Sequence, residues 1–369
     1  MKYFIIAGER SGDLHGSNLI KALKSKDAEA EIVCWGGDMM QQAGAKLLKH
    51  YKEISYMGFA EVLSNATKIV KAIKECKQNI LAFNPDVVVL IDFAGFNLRI
   101  AKFAKENKLK VFYYISPKVW AWNQSRANKI KVLVDRMFVI LPFEKDFYRT
   151  YSYEVDYIGN PLNDAIAAFE KNANFLSSNK ITDKPIIAIL PGSRKQEVAN
   201  MLQVMVSIIP FFPDYQFVIA AVSNLPKDYY EDFKKENRVE VVYDQTYDLL
   251  SVCTAAVVTS GTATLETALF QIPQVVVYKT SSVSYIIAKA LIKVKYISLV
   301  NLVADKEVVK ELIQKEFNAD ALQVQLQKIL PGAVAREELL KEYTKIKEVI
   351  GKPGASDKAA GLMIGYLKN

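Results

Sequence analysis

The chain has 369 residues, a length that suggests two or three domains. Hydrophobic residues make up 51% and charged residues 24%, which excludes a disordered chain and predicts a packed core. A formal net charge of +8 favours anionic partners (phosphorylated small molecules, an anionic membrane surface or nucleic acid) without choosing among them.

Cys34, Cys76 and Cys253 are too widely spaced for a disulfide framework or a zinc pattern and read as small buried hydrophobes. The opening "MKYFIIAGER" has a very short apolar run and no small-residue cleavage site, so it reads as a first strand and not as a secretory signal. No apolar stretch reaches the ~18 residues of a membrane helix. The expected location is cytoplasmic, with any membrane contact peripheral.

In chain order, "KYFIIAG" predicts a strand, Leu14 to Lys26 a helix, and "EIVCWGG" a strand. Residues 61–83 repeat apolar positions at helical spacing, and "DVVVLIDF" is a strand buried on both faces by its unbroken apolar run. "NLRIAKFAKENK" is helical; "KVFYYIS" and "DRMFVILPF" are strands. This alternation predicts an α/β fold with a doubly wound parallel sheet. Residues 171–184, "KNANFLSSNKITDK", are polar and read as a linker or exposed loop. A second series runs from "PIIAILPGSR" through "YQFVIAAV", "VEVVYD", "AAVVTSG" and "QVVVYK". Two Rossmann-like domains are therefore expected, 1–162 and 183–345, with 346–369 ending in a closing helix that packs back on the first. Ligands of open α/β sheets sit beyond the carboxyl ends of the strands, so residues just after strands are the candidates.

Residues 8–16, "GERSGDLHG", follow the first strand. A dinucleotide loop needs G-x-G-x-x-G, but Arg10 holds the second glycine's place and the glycines are Gly8, Gly12 and Gly16, so that reading fails. What remains is a turn into a helix N-terminus, able to meet a phosphate. The cluster Glu9, Arg10, Asp13 and His15 favours a ligand, and Ser11 or Asp13 as a plain N-cap is the alternative. Asp92 ends an apolar run, so its carboxylate is either a general base beside an apolar wall or a helix cap. Asn97 reads as a cap. Trp120 and Trp122, with Lys118, Arg126, Lys129 and Lys131 nearby, suit a sugar, a phosphate or single-stranded nucleic acid, or simply packing.

In "LPGSRKQEV", Arg194 stands near a helix start, where a guanidinium can pair with a diphosphate; no Walker A loop exists. In "VVTSGTATLETALF" a strand runs straight into a helix, and Ser260, Gly261, Thr262 and Ala263 would present N–H groups to a phosphate. Glu266, about one turn on, either accepts two ribose hydroxyls or complements the helix dipole. "ISYMGFAEVL", residues 54–63, is core or, with Lys49, Lys52 and Lys68 around it, a membrane-facing patch.

Together "AGERSGDLHG", "YMGFAEVL", "LIDFAGFN", "YYISPKVWAW", "LPFEKDFY", "LPGSR", "TSGTATLE" and "YISLVNLVADKEVVKELIQ" resemble the lipid-A-disaccharide synthase family, in the family's order and over nearly the whole chain. The resemblance implies a GT-B glycosyltransferase whose two Rossmann-like domains face a cleft. The first would serve the acceptor and the membrane, the second UDP-sugar. It implies transfer of 2,3-diacylglucosamine from UDP to the 6-hydroxyl of 2,3-diacylglucosamine 1-phosphate (lipid X), with inversion and without metal or cofactor, at the cytoplasmic face of the inner membrane. Asp92 matches the family's essential aspartate, the expected base. Arg194, Ser260, Gly261, Thr262 and Glu266 match the UDP side, and Asn301 an asparagine expected near the nucleotide. Gly8, Glu9, Ser11, Gly12 and Asp13 match the glycine-rich loop. Val300 stands where the family often has proline, which puts the loop before Asn301 in question. Gly95 stands where some members carry aspartate, which shifts weight onto Asp92. A homodimer is left open and nucleic acid is not an expected partner. The alternative is another GT-B UDP-GlcNAc enzyme, a 2-epimerase or the peptidoglycan-precursor GlcNAc transferase; "VWAW" and "ISYMGFAEVL" argue against both.

Overall fold

β-branched runs with both faces covered form the strands of two parallel sheets. The computed structural model describes the chain except residues 55–65, 224, 228, 231–232, 235–238, 283–284, 287–288, 290–293 and 369, and the side chains of residues 66, 122 and 196. It forms two units, Met1–Ala168 with Ile350–Asn369, and Phe169–Val349.

The first unit holds β1 (Lys2–Ala7), β2 (Glu31–Gly36), β3 (Lys46–His50), β4 (Val87–Ile91), β5 (Lys110–Tyr114), β6 (Arg136–Val139) and β7 (Asp156–Tyr157), in the order β3-β2-β1-β4-β5-β6-β7. Strand alternation divides its core in two. Phe4, Ile6, Val88, Leu90, Val111 and Tyr113 face one side, where Cys76 and Ile80 of helix Ala66–Phe83 and Phe96 and Ile100 of helix Ala94–Glu106 cover them. Tyr3, Ile5, Val87, Val89 and Phe112 face the other, under Leu19, Ile20 and Leu23 of helix Arg10–Lys26 and Ala359, Ala360 and Met363 of helix Ala355–Lys368. This last helix is tied down at its start. The Asp164 carboxylate accepts hydrogen bonds from the backbone N–H groups of Gly354, Ala355 and Ser356, and Lys26 pairs with Asp357 at 2.9 Å.

The second unit holds β8 (Ile186–Leu190), β9 (Gln216–Ala221), β10 (Glu240–Tyr243), β11 (Ala255–Thr259), β12 (Gln274–Tyr278) and β13 (Glu311–Ile313), in the order β10-β9-β8-β11-β12-β13. In each sheet the chain winds outward on one side of its first strand, then crosses to the other. The order reverses between β1 and β4, and again between β8 and β11.

Several local expectations change. The first helix starts at Arg10, four residues before Leu14, so most of "GERSGDLHG" is helix and not loop. Residues 142–149, which begin inside the predicted strand "DRMFVILPF", form a helix with Pro142 at its start. The buried Glu144 carboxylate there accepts hydrogen bonds from the N–H groups of Ile140 at 3.0 Å and Leu141 at 2.9 Å. Residues 171–184 are not a bare linker: Phe175 and Ile181 are buried in the second unit's core. The patch "ISYMGFAEVL" lies outside the described residues, apart from Ile54, which is buried.

Candidate active site

A doubly wound sheet opens where its strand order reverses, because the connections on either side leave in opposite directions. Each unit brings some of its sequence-predicted residues to that point. In the first unit β1 pairs with β4 through Ala7 and Ile91, so the turns after both strands are neighbours. The approach is close: a Cβ built on Gly8 would lie 2.3 Å from the Phe93 ring, which only glycine avoids. In the second unit β8 pairs with β11 through Leu190 and Val258, which sets the turn bearing Arg194 beside Ser260 and Gly261.

Asp92 is not a helix cap. Phe93 occupies the N-cap position of helix Ala94–Glu106. Asp92 itself has φ 41° and Phe93 φ 48°, two successive non-glycine residues in the left-handed region. Such backbone costs about 1–3 kcal/mol per residue and persists only where the surroundings impose it. Here they do. The Asp92 carbonyl accepts hydrogen bonds from the Tyr113 hydroxyl and, at 2.8 Å, from Asn97 Nδ2, which also donates to the Ile91 carbonyl at 3.1 Å. Asn97 thus holds the strand end from within the following helix, where the sequence suggests a cap. Burial, with the Asp92 charge adding to it, pushes the Tyr113 phenol well up, so it remains a donor. Asp92 is left half-buried at the carboxyl edge of the central strands. A Cβ at Gly95 would meet no atom within 4 Å, so glycine is not required there by packing.

Around "GERSGDLHG" the residues divide. Glu9 takes the N-cap position with extended backbone and no side-chain capping bond; Ser11 lies in the first turn. Neither Ser11 nor Asp13 caps this helix. Gly12 is inside it, where an added Cβ would sit 3.1 Å from that of Ala7. Asp13 is buried and committed elsewhere: Oδ1 accepts from Gly37 N at 2.9 Å and Met40 N at 3.0 Å, Oδ2 from Met39 N at 3.2 Å. It caps the short helix Asp38–Gln42 from 25 residues away in sequence. Burial pushes its pKa up, against the pull of those three donors. His15 is also buried, which lowers its pKa to about 4 and keeps it neutral.

In the second unit Gly192 takes φ +101° in the turn after β8. Arg194 occupies the N-cap position of helix Lys195–Ser207, half-exposed, with Nη1 3.1 Å from Glu197 Oε1. The half-buried Tyr278, ending β12, has its phenol pushed up by burial and by the Glu197 charge, while Arg194 opposes this. Gly261 is the N-cap of helix Thr262–Leu269, and a Cβ there would meet no protein atom within 4 Å. Thr262 begins the helix, and Ser260 Oγ donates to the Ile297 carbonyl at 2.8 Å. Glu266, in the second turn, accepts from the Tyr247 hydroxyl at 2.8 Å.

Asn301 stands early in the short helix Leu299–Ala304. It is fully buried, and its amide is engaged on both ends. Nδ2 donates to the Val309 carbonyl at 2.9 Å and Glu311 Oε1 at 2.8 Å; Oδ1 accepts from Val308 N at 2.7 Å and Val309 N at 2.9 Å. Glu311 also accepts from the N–H groups of Ile297 and Ser298, and Leu299 N donates to Thr264 Oγ1 at 3.3 Å. Asn301 therefore ties its own short helix to Val308, Val309 and Glu311, while Leu299 ties the same segment to Thr264 of helix Thr262–Leu269. Val300 falls in the first turn of helix Leu299–Ala304, which Ser298 caps. Proline is tolerated in a first helical turn, so valine there asks for no new loop shape. Asn301→Ala should lower stability by about 2–4 kcal/mol in urea denaturation, the cost of several orphaned buried partners. A variant with unchanged stability and only weaker nucleotide binding would mean a ligand contact instead.

Trp120 is a packing residue. It is buried, with Nε1 donating to Glu144 Oε1 at 3.0 Å and its ring edge-on to Phe143 at 4.9 Å. Burial pushes Glu144 up to about 7 despite these donors. Among the described residues no group of three or more His, Cys, Asp or Glu could hold a metal ion. No helix among them is long and apolar enough to cross a membrane.

Comparison with known proteins agrees with this layout. Among solved structures, S. aureus MnaA with UDP matches with a TM-score of 0.72 at 16% identity, covering 100% of this chain and 97% of that one. The UDP-GlcNAc 2-epimerase of Neisseria meningitidis bound to UDP-GlcNAc gives 0.68 at 16% identity, covering 100% of both chains. At such identities the likeness is one of fold, the two parallel-sheet α/β units of GT-B enzymes. In sequence, the lipid-A-disaccharide synthase of Syntrophus aciditrophicus is 38% identical over 372 residues, spanning 99% of this chain and 97% of its own. That of Trichlorobacter lovleyi is 35% identical over 374 residues, spanning 100% and 98%. A family model described as lipid-A-disaccharide synthetase matches residues 3–359, and with relatives this similar along their full length, the chain belongs to the lipid-A-disaccharide synthase family.

Proposed function

We propose that this chain joins UDP-2,3-diacylglucosamine to 2,3-diacylglucosamine 1-phosphate, forming the β(1→6) disaccharide 1-phosphate and releasing UDP. The acceptor's 6-hydroxyl oxygen attacks the donor's anomeric carbon, the bond from that carbon to the UDP oxygen breaks, and the configuration inverts. The hydroxyl proton passes to the Asp92 carboxylate. The observation that carries this reading is the strained turn at Asp92 and Phe93, held by Tyr113 and Asn97 at the switch point of the first sheet. Strain kept in place by dedicated hydrogen bonds is characteristic of functional positions.

The leaving diphosphate is assigned to the second unit. Arg194 and the start of helix Thr262–Leu269 supply positive charge and N–H donors where negative charge develops. Gly261 leaves room for a ligand there, since a side chain would meet no protein atom. Glu266 takes the ribose hydroxyls. Gly8 and Glu9 form the turn beside Asp92, and Ser11 and Gly12 the first turn of the helix that follows, on the acceptor's side, while Asp13 and Asn301 act as braces.

The acyl chains of both substrates place the enzyme at the inner membrane's cytoplasmic face. Supporting this, helix Ala66–Phe83 has Lys68, Lys71 and Lys74 at exposed positions, with Val70 and Leu81 also exposed. Lysines with exposed apolar side chains suit an anionic lipid surface.

Purified protein incubated with both substrates in detergent should release UDP and the disaccharide. Folded protein that forms no product overturns the reading. Interconversion of UDP-GlcNAc alone, followed by NMR, would point to an epimerase.

A further inference from the structure

Tyr247 is the second residue of the short helix Thr246–Leu250, which follows β10. Its ring is wedged in an aromatic cluster, edge-on to Phe169 at 5.6 Å and tilted against Phe270 at 5.1 Å. Phe270 lies directly after the helix that carries Glu266, so the ring is anchored to the same element it serves. The next residue, Asp248, accepts from Asn172 N at 2.8 Å, which fixes the backbone beside the ring. From this fixed position the hydroxyl donates to Glu266 Oε1 at 2.8 Å. Burial and the Glu266 charge push the phenol's ionisation well up, so Tyr247 stays a donor and never adds a second negative charge.

Glutamate is flexible, and Glu266 is only half-buried. A carboxylate offers about four acceptor positions, and the phenol takes one. Two neighbouring sugar hydroxyls are gripped together only when both carboxylate oxygens are presented in a set plane. Fixing that plane before the ligand arrives reduces the ordering cost of binding. We propose that Tyr247 is a positioning residue for nucleotide recognition: its hydroxyl holds the Glu266 carboxylate in the orientation that grips the ribose 2′- and 3′-hydroxyls. This rests on the assignment of Glu266 to the ribose, and it gives the chain a way to tell a ribonucleotide from its deoxy counterpart through a residue that touches neither.

The test is calorimetric binding of UDP and 2′-deoxy-UDP to the wild type, Tyr247→Phe, Glu266→Gln and the double variant. Phenylalanine keeps the ring in its cluster, so the thermal midpoint should stay unchanged. The wild type should prefer UDP by about 10-fold, Glu266→Gln should lose most of that preference, and Tyr247→Phe should narrow it about 3-fold. The double variant should lose no more than Glu266→Gln alone, because the phenol acts only through the carboxylate. If Glu266→Gln narrows the preference and Tyr247→Phe leaves it intact, the positioning role falls and the ribose assignment stands. A wild type that binds UDP and 2′-deoxy-UDP alike removes the ribose assignment and this inference with it.

Discussion

Asp92→Asn should lower turnover about 100-fold or more while UDP affinity stays at the wild-type level. Asparagine is the informative replacement. Asp92 has φ 41°, and asparagine is among the few residues that tolerate the left-handed region, so the strained turn survives. The hydrogen bonds that hold the turn end on the Asp92 carbonyl, which the substitution does not touch. The side chain keeps its shape but loses its charge and its ability to take a proton. Steady-state turnover at saturating substrates, with UDP binding measured separately, isolates that loss. Turnover within about threefold of wild type would remove Asp92 as the base. Asp92→Ala is the weaker test, because alanine adds backbone strain to the chemical deficit.

Arg194→Ala should raise the KM for the UDP-sugar donor about 10- to 100-fold. Its effect on stability should be within about 0.5 kcal/mol. The asymmetry follows from its surroundings. Arg194 pairs with Glu197 at a half-exposed position, and ion pairs of that kind contribute little to folding. A guanidinium facing a diphosphate with water excluded makes two parallel charge-assisted hydrogen bonds, which are far stronger. Arg194→Lys should recover only part of the loss, since an ammonium supplies charge without the planar fork. A KM that does not move in either variant would place the diphosphate elsewhere.

What could be read from the amino-acid sequence was the set of turns, because each follows an unbroken apolar run whose end is visible locally. "LIDF", "LPGSR" and "VVTSGT" all come at the ends of buried strands. What could not be read was the purpose of polar side chains whose partners are distant. Asp13 looks like a loop residue until Gly37, Met39 and Met40 turn out to be its donors. Nothing beside Asn301 in the sequence shows that Val308, Val309 and Glu311 engage its amide. Tyr247 gives no sign of its role for the same reason: its partner Glu266 is 19 residues on, and nothing in "DQTYDLL" marks the tyrosine. The strands β3 and β13 escaped because they are short edges, "KLLKH" and "ELI", with too few residues to show alternation. Phe175 and Ile181 were hidden by the polar residues around them in "KNANFLSSNKITDK".

The helix Ala355–Lys368 belongs to the first unit, yet it is made after the whole of the second. On the ribosome, residues up to Ala168 emerge well before it, and all of Phe169–Val349 must follow first. At roughly 5–20 residues per second that interval lasts on the order of ten to forty seconds. During it, Leu19, Ile20 and Leu23 of the nascent first unit lack the cover that Ala359, Ala360 and Met363 later provide. The first unit therefore completes its core only after the second has been synthesised.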